Sequence, residues 1–352
     1  MTASPRTIIA SLLAGLALSF TANVHAETPD PLPRLGLDGE RLAAIGVSSG
    51  GYMAAQLAVA WPERFDALGL VATGPWGCAE GELGRALGQC MFTRLGTPDL
   101  SAIDQRWAGY RERELVGSQA DRGKLKVYAW QGGSDGTIDP AVSAAAVTQF
   151  DGWLADPEAQ LKKVVDATAG HGWPVGAETA GESLADCHAS GPPYLLACGT
   201  DLAGDAIAWW YPSPEPAVDD PTAAGSLLAF DQGAFDARGL ADTGYLYLPN
   251  ACEDGHCGIV VALHGCEMGV SDEDDADVPT FVSGSGLNRW AAANRLAVLY
   301  PQAEASLANP KGCWDWWGFS ESTWQLDPLQ DSRDGRQVKA LMGMIDSLQA
   351  VP

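Results

Sequence analysis

An apolar run, Leu42 to Val47, passes directly into Gly46-Val47-Ser48-Ser49-Gly50 and then into the helix-like stretch Gly51 to Ala60. Strand, tight turn and helix form the setting in which a serine can be held on a strained turn at the edge of a sheet. Glycines two residues before and two after the serine let crossing backbones pass closely. Only Ser48 has both; Ser49 would need a glycine at Val47. The helix N-terminus then faces the hydroxyl and favours an oxyanion forming beside it. The rest of the chain alternates in the same way. Phe65 to Thr73, Lys126 to Trp130, Lys163 to Ala167, Gly244 to Pro249, Ile259 to Leu263 and Leu296 to Tyr300 read as strands. Asp139-Pro140 caps a helix running through Phe150, and Gly286 to Asn294 is a second. This alternation predicts an α/β protein with a mainly parallel central sheet and helices on both faces. No internal repeat is visible, and Tyr211 to Ser226, rich in Pro, Asp and Ala, reads as a linker.

Charge and the first residues narrow the class. The 352 residues hold 21 Lys and Arg against 45 Asp and Glu, a formal charge of −24. Such a chain repels phosphate backbones and anionic membranes, which excludes nucleic acid as an expected partner. Arg6 precedes an apolar run from Ile8 to Phe20, and Val24 and Ala26 fit a small-residue cleavage pattern. Residues 1–26 therefore read as a signal peptide and 27–352 as one exported catalytic domain, secreted to the medium or the periplasm.

Export governs the cysteines. All eight lie after the signal peptide, and an even number in an oxidising compartment fits four disulfides. Spacing suggests Cys78 with Cys90, Cys187 with Cys198 and Cys252 with Cys257 as local staples, leaving Cys266 with Cys313. A metal site at Cys252, His256 and Cys257 lacks a nearby fourth ligand, so no metal is expected.

A serine nucleophile needs a base, and there are five histidines. His25 leaves with the signal peptide, His188 and His256 sit in small cysteine-bounded loops, and His264 ends an apolar strand. His171, flanked by Gly170 and Gly172 after a strand, is the candidate. The acid is expected between nucleophile and base in chain order. Asp135 follows a strand and a glycine turn, whereas nearby Asp139 reads as the helix cap.

The second oxyanion donor ordinarily comes from a loop after a strand that precedes the elbow. Here the mature chain has only 48 − 27 = 21 residues ahead of Ser48, while a suitable loop, His264-Gly265-Cys266, lies 264 − 48 = 216 residues later. The economical solution is circular permutation, with residues 211–226 near the join of the old termini.

Ser48-Ser49-Gly50-Gly51-Tyr52-Met53-Ala54-Ala55-Gln56-Leu57, Ala262-Leu263-His264-Gly265-Cys266 and Gly312-Cys313-Trp314-Asp315-Trp316 together resemble the secreted poly(3-hydroxybutyrate) depolymerases. The likeness is to the fungal-type single-domain enzymes with a circularly permuted α/β-hydrolase fold, and it runs from about Leu42 to the C-terminus. It implies a serine esterase with Ser48, His171 and Asp135 as the triad. It also implies the amides of Ser49 and Cys266 as the oxyanion hole and the four cysteine pairs above; such a mechanism requires no cofactor, and a monomer is expected. The substrate implied is a polyester or its oligomers. Other classes are a feruloyl or acetyl esterase acting on plant polysaccharide, and a non-catalytic binder.

Trp314, Trp316, Trp317 and Phe319 crowd four aromatics into six residues beside Cys313, a pattern without core periodicity, and are expected to face substrate. Phe319 stands where the resembled enzymes can carry tryptophan. The acidic stretch 271–278 lacks the glycine and final glutamate of a calcium hand and reads as a solvated loop.

Overall fold

The computed structural model describes residues 29–176, 184–235, 237–270, 278–321 and 327–352. Residues 1–26, read above as a signal peptide, and the acids at 271–277 lie outside the described residues.

Eight strands form one sheet. They are β1 (Leu42–Val47), β2 (Ala67–Val71), β3 (Lys126–Gly132), β4 (Leu161–Asp166), β5 (Gly225–Asp231), β6 (Thr243–Pro249), β7 (Gly258–Leu263) and β8 (Leu296–Tyr300). Their spatial order is β4-β3-β2-β1-β7-β8-β6-β5. All neighbours from β4 to β8 run parallel, and β6 lies antiparallel to both β8 and β5. Every residue of β1, β2, β7 and β8 is buried, as expected for central parallel strands covered on both faces.

The order shows the permutation. β1 pairs on one side with β2, the next strand in the chain, and on the other with β7, with Leu42 opposite Ile259. The half-sheet that would precede the elbow in an ordinary α/β-hydrolase is supplied by the C-terminal half of the chain. The linker expected over 211–226 is shorter than predicted. A turn of helix occupies Pro221–Ala224 and β5 begins at Gly225, because Gly225 to Asp231 pairs along its length with β6.

Helices α1 (Ser49–Ala60), α2 (Leu100–Glu112), α3 (Pro140–Trp153), α4 (Leu202–Trp210), α5 (Leu287–Asn294) and α6 (Arg336–Gln349) surround the sheet. Two apolar clusters result. One packs α1, α3 and α6 on one face, and the other packs α4 and α5 on the opposite face. All twelve residues of α1 are buried, which explains its lack of a polar stripe. Asp139 caps α3 by accepting from the Ala141 N–H at 2.9 Å.

The cysteines pair as 78–90, 187–198, 252–257 and 266–313. The first three close short loops; the last ties the turn after β7 to the aromatic segment.

Candidate active site

β1 ends at Val47 and the chain turns at Ser48, with φ 56° and ψ −121°. A positive φ is costly for a residue with a Cβ and persists only where the surroundings impose it. The surroundings here are backbone. A Cβ at Gly46 would stand 2.2 Å from the Gly50 carbonyl oxygen, and one at Gly50 would stand 2.1 Å from that of Leu263. The two glycines therefore let strand, helix and the end of β7 converge on Ser48. At the first position of α1, the Ser49 N–H has no intrahelical acceptor. The Gly51 and Tyr52 N–H groups donate back to the Ser48 carbonyl at 3.0 and 3.2 Å.

Asp135 and His171 come from the loops after β3 and β4, the two strands on the same side of β1. Asp135 Oδ2 lies 2.7 Å from His171 Nδ1, and its Oδ1 accepts the Thr137 and Ile138 N–H groups, both at 2.8 Å. A carboxylate can only accept, so Nδ1 carries the proton and Nε2 is left bare, able to accept one. Ser190 joins the two loops: its Oγ accepts from the Gly136 N–H at 3.2 Å and the His171 N–H at 3.0 Å. Asp139 is instead occupied by its capping bond and by the Thr93 hydroxyl at 2.9 Å. His188 bonds the Thr168 carbonyl, and Cys252 and Cys257 are joined to each other.

Ser48, Ser49, His171, Cys266, Trp316 and Trp317 line one largely apolar cavity of about 330 Å³. The turn after β7 lies against Ser48, since a Cβ at Gly265 would stand 3.4 Å from Ser48 Cβ. Tyr52 forms part of the floor, with Trp316 stacked on its ring at 4.3 Å and 9°. A second cavity, about 280 Å³, lies between α3 and the ends of β3 and β4 and contains none of these groups.

Two of the four predicted aromatics need correction. Trp314 is fully buried, with its indole N–H committed to the His264 carbonyl at 3.0 Å, so it is core and not a substrate contact. Phe319 stands behind Trp317, ring to ring at 4.8 Å, and does not line the cavity. The segment is shaped by Asp315. This buried carboxylate accepts the N–H groups of Gly318 (2.6 Å), Phe319 (2.9 Å) and Ser320 (2.9 Å) and the Ser320 hydroxyl. Burial pushes the Asp315 carboxyl above its ordinary value, while these bonds pull the other way.

The cavity lining also holds residues that carry no sequence signal. Tyr194 stands edge-on to the His171 ring, 5.9 Å between centroids at 85°. Its hydroxyl donates to Glu267 Oε2 at 2.9 Å, and Lys311 Nζ donates to the same oxygen at 3.0 Å. Burial alone would raise the Glu267 carboxyl, but the bonds from Lys311 and Tyr194 hold it below its usual range. Burial and that carboxylate push the Tyr194 phenol up to about 12. Leu83, Leu87 and Met91 add apolar side chains to the lining.

No family model matches the chain. It is 34% identical to a polyhydroxybutyrate depolymerase of Talaromyces funiculosus over 335 residues, which cover 90% of this chain and 92% of that one. The chain belongs to the polyhydroxybutyrate depolymerase family. A poly(3-hydroxybutyrate) depolymerase of Delftia acidovorans is 31% identical over 344 residues, and the match covers 96% of this chain but 65% of the longer bacterial protein. Among solved structures, a crystal structure of the PHB depolymerase from Penicillium funiculosum superposes with a TM-score of 0.79 at 32% identity, covering 90% of this chain and 98% of that one. A serine-to-alanine PHB depolymerase complexed with an R3HB trimer matches with a TM-score of 0.80, also at 32% identity and over 90% and 98% of the two chains. The α/β-hydrolase fold is thus shared with depolymerases of the family.

Proposed function

We propose that the chain is an exported serine esterase that hydrolyses the ester bonds of poly(3-hydroxybutyrate) or a related polyhydroxyalkanoate. Residues 27–352 would act as one monomeric catalytic domain after removal of residues 1–26. The observation that carries this is that Ser48, on a strained elbow, lines one apolar cavity with His171, whose Nδ1 is paired with Asp135. Membership of the depolymerase family and the R3HB trimer held by a structural relative point to the substrate.

In this reading His171 Nε2 takes the Ser48 proton as Oγ attacks the ester carbonyl, and Asp135 stabilises the imidazolium. The Ser49 and Cys266 N–H groups hold the tetrahedral oxyanion. The imidazolium then protonates the leaving alkoxide, and water, deprotonated by the same nitrogen, releases the acyl group from Ser48. The repeating unit of such a polyester is neutral, so the formal charge of −24 does not oppose binding of the chain interior.

Ser48→Ala should reduce turnover of soluble p-nitrophenyl esters and of a polymer suspension by many orders of magnitude, with the fold intact. A fluorophosphonate should label wild type at Ser48. Near-normal turnover in Ser48→Ala would sink the assignment, and clearing of feruloyl esters but not polymer would reassign the substrate.

A further inference from the structure

His264 is a buried imidazole outside the triad, and its two nitrogens are both committed. Nε2 lies 3.0 Å from the Ala303 N–H, which can only donate, so Nε2 is the bare nitrogen. Nδ1 therefore carries the proton, and it points at the Gly265 carbonyl oxygen at 2.6 Å. Burial holds the imidazole neutral, pushing it down to about 4. The ring is packed as well as bonded. It lies 5.3 Å from the Trp314 ring, and a Cβ at Gly269 would stand 2.6 Å from its Cε1.

The Gly265 carbonyl belongs to the same peptide group as the Cys266 N–H. A trans peptide is planar, and its C=O and N–H point in opposite directions. Fixing one end fixes the other. Gly265 has no side chain to restrict this peptide, and the disulfide to Cys313 holds Cys266 only through its Sγ. We propose that His264 is a positioning residue: by donating from Nδ1 to the Gly265 carbonyl it sets the direction in which the Cys266 N–H meets the oxyanion. The Ala303 N–H in turn selects the tautomer that allows this. The proposal rests on Cys266 being an oxyanion donor, as in the mechanism above.

Two substitutions separate aiming from packing, because each keeps one of the two bonds. In His264→Asn the amide nitrogen sits near the position of Nδ1 and can still donate to Gly265. In His264→Gln the amide oxygen reaches toward the position of Nε2 and can still accept from Ala303, while the bond to Gly265 is lost. Both should lower the melting temperature. The glutamine variant should lose about 10–100-fold in kcat on a soluble ester with KM within about threefold, part of the 10²–10³ that one oxyanion donor supplies. The asparagine variant should recover most of that loss. The affinity of a trifluoromethyl ketone, whose hemiketal oxyanion occupies the hole, should fall in parallel in the glutamine variant.

Equal kcat in the two variants, or a loss confined to KM, would overturn the proposal. Nitrogen NMR of histidine-labelled wild type needs no variant to fold. It should show His264 as the neutral Nδ1–H tautomer at neutral pH, and an Nε2–H tautomer or an imidazolium there would overturn the proposal equally. Failure of wild type to hydrolyse esters would remove the esterase reading itself, whereas an active wild type with indistinguishable variants would remove only the role of His264.

Discussion

Glu267 ties two other parts of the cavity lining together, at Lys311 and at Tyr194, through its backbone N–H and one carboxylate oxygen. Its N–H donates to the Lys311 carbonyl at 2.7 Å, and Oε2 takes both the Lys311 ammonium and the Tyr194 hydroxyl. It does so from a backbone φ of 61°, unfavourable for a residue with a Cβ. Glu267→Ala should therefore loosen the wall beside His171 and lower kcat on soluble esters on the order of tenfold, a fraction of one oxyanion contact. Steady-state kinetics with the melting temperature measured alongside checks this. None of that arrangement was legible in the sequence. The placement of Ser48, Asp135 and His171 at strand ends was legible because glycines and chain order constrain it locally. Tyr194, Glu267 and Lys311 meet only through the three-dimensional path of separate loops, and acids and lysines in loops are ordinarily solvated. The reading of Trp314 as a substrate contact failed for a similar reason, since a cluster of aromatics does not say which rings turn inward.

Among the elements, the segment closed by Cys266 and Cys313 should respond most to reduction. Its bridge spans a sequence separation of 47 and is worth roughly 3–5 kcal/mol by chain entropy. The double change Cys266→Ala with Cys313→Ala should cost more turnover than its folded fraction explains, because the turn proposed to hold the oxyanion loses its tether. Removing Cys252 and Cys257, whose bridge closes a short loop ahead of β7, should lower the melting temperature and leave turnover per folded molecule near wild type. At the start of β2, burial pushes Asp66 up to about 6, against its hydrogen bonds and the nearby Arg41. The folded state then binds the proton that the unfolded state has already released between about pH 4 and 6. The contribution of Asp66 is therefore greatest below pH 4 and is lost as pH rises through 6. Asp66→Asn should gain stability relative to wild type, on the order of 2 kcal/mol at pH 7, and little at pH 4, as urea melts would show. The elements themselves were unevenly legible. Buried parallel strands are unbroken apolar runs and stood out to within about two residues at either end. β5 did not, because this edge strand exposes Leu227 and Leu228 and begins directly after a Pro- and Asp-rich stretch. α6 was also missed, since it starts after Gly335 with no side-chain cap to mark it.

For the whole molecule, a polymer granule, the substrate of the proposed function, would meet an apolar cavity mouth. Leu83 and Leu87 line the cavity and remain 54% and 47% exposed, and Leu307, beside the cavity residue Ala308, is fully exposed. Leu83→Asp with Leu87→Asp should weaken adsorption to polymer granules and slow their clearing severalfold, while p-nitrophenyl ester turnover changes little. A depletion assay on granules measures the first effect and a soluble assay the second. The placement of β1 has a consequence for how such a molecule comes into being. Synthesis starts at the N-terminus, so the nucleophile strand is made among the first elements. One edge finds β2 within a few dozen residues, but the other waits for β7, 259 − 42 = 217 residues later. Until then it is an open, wholly apolar edge, the kind of surface on which nascent chains pair with one another. Permutation thus leaves the chemistry where it was and moves the burden to biogenesis: a chain interrupted ahead of Gly258 already carries Ser48, Asp135 and His171, yet has nothing to close its sheet.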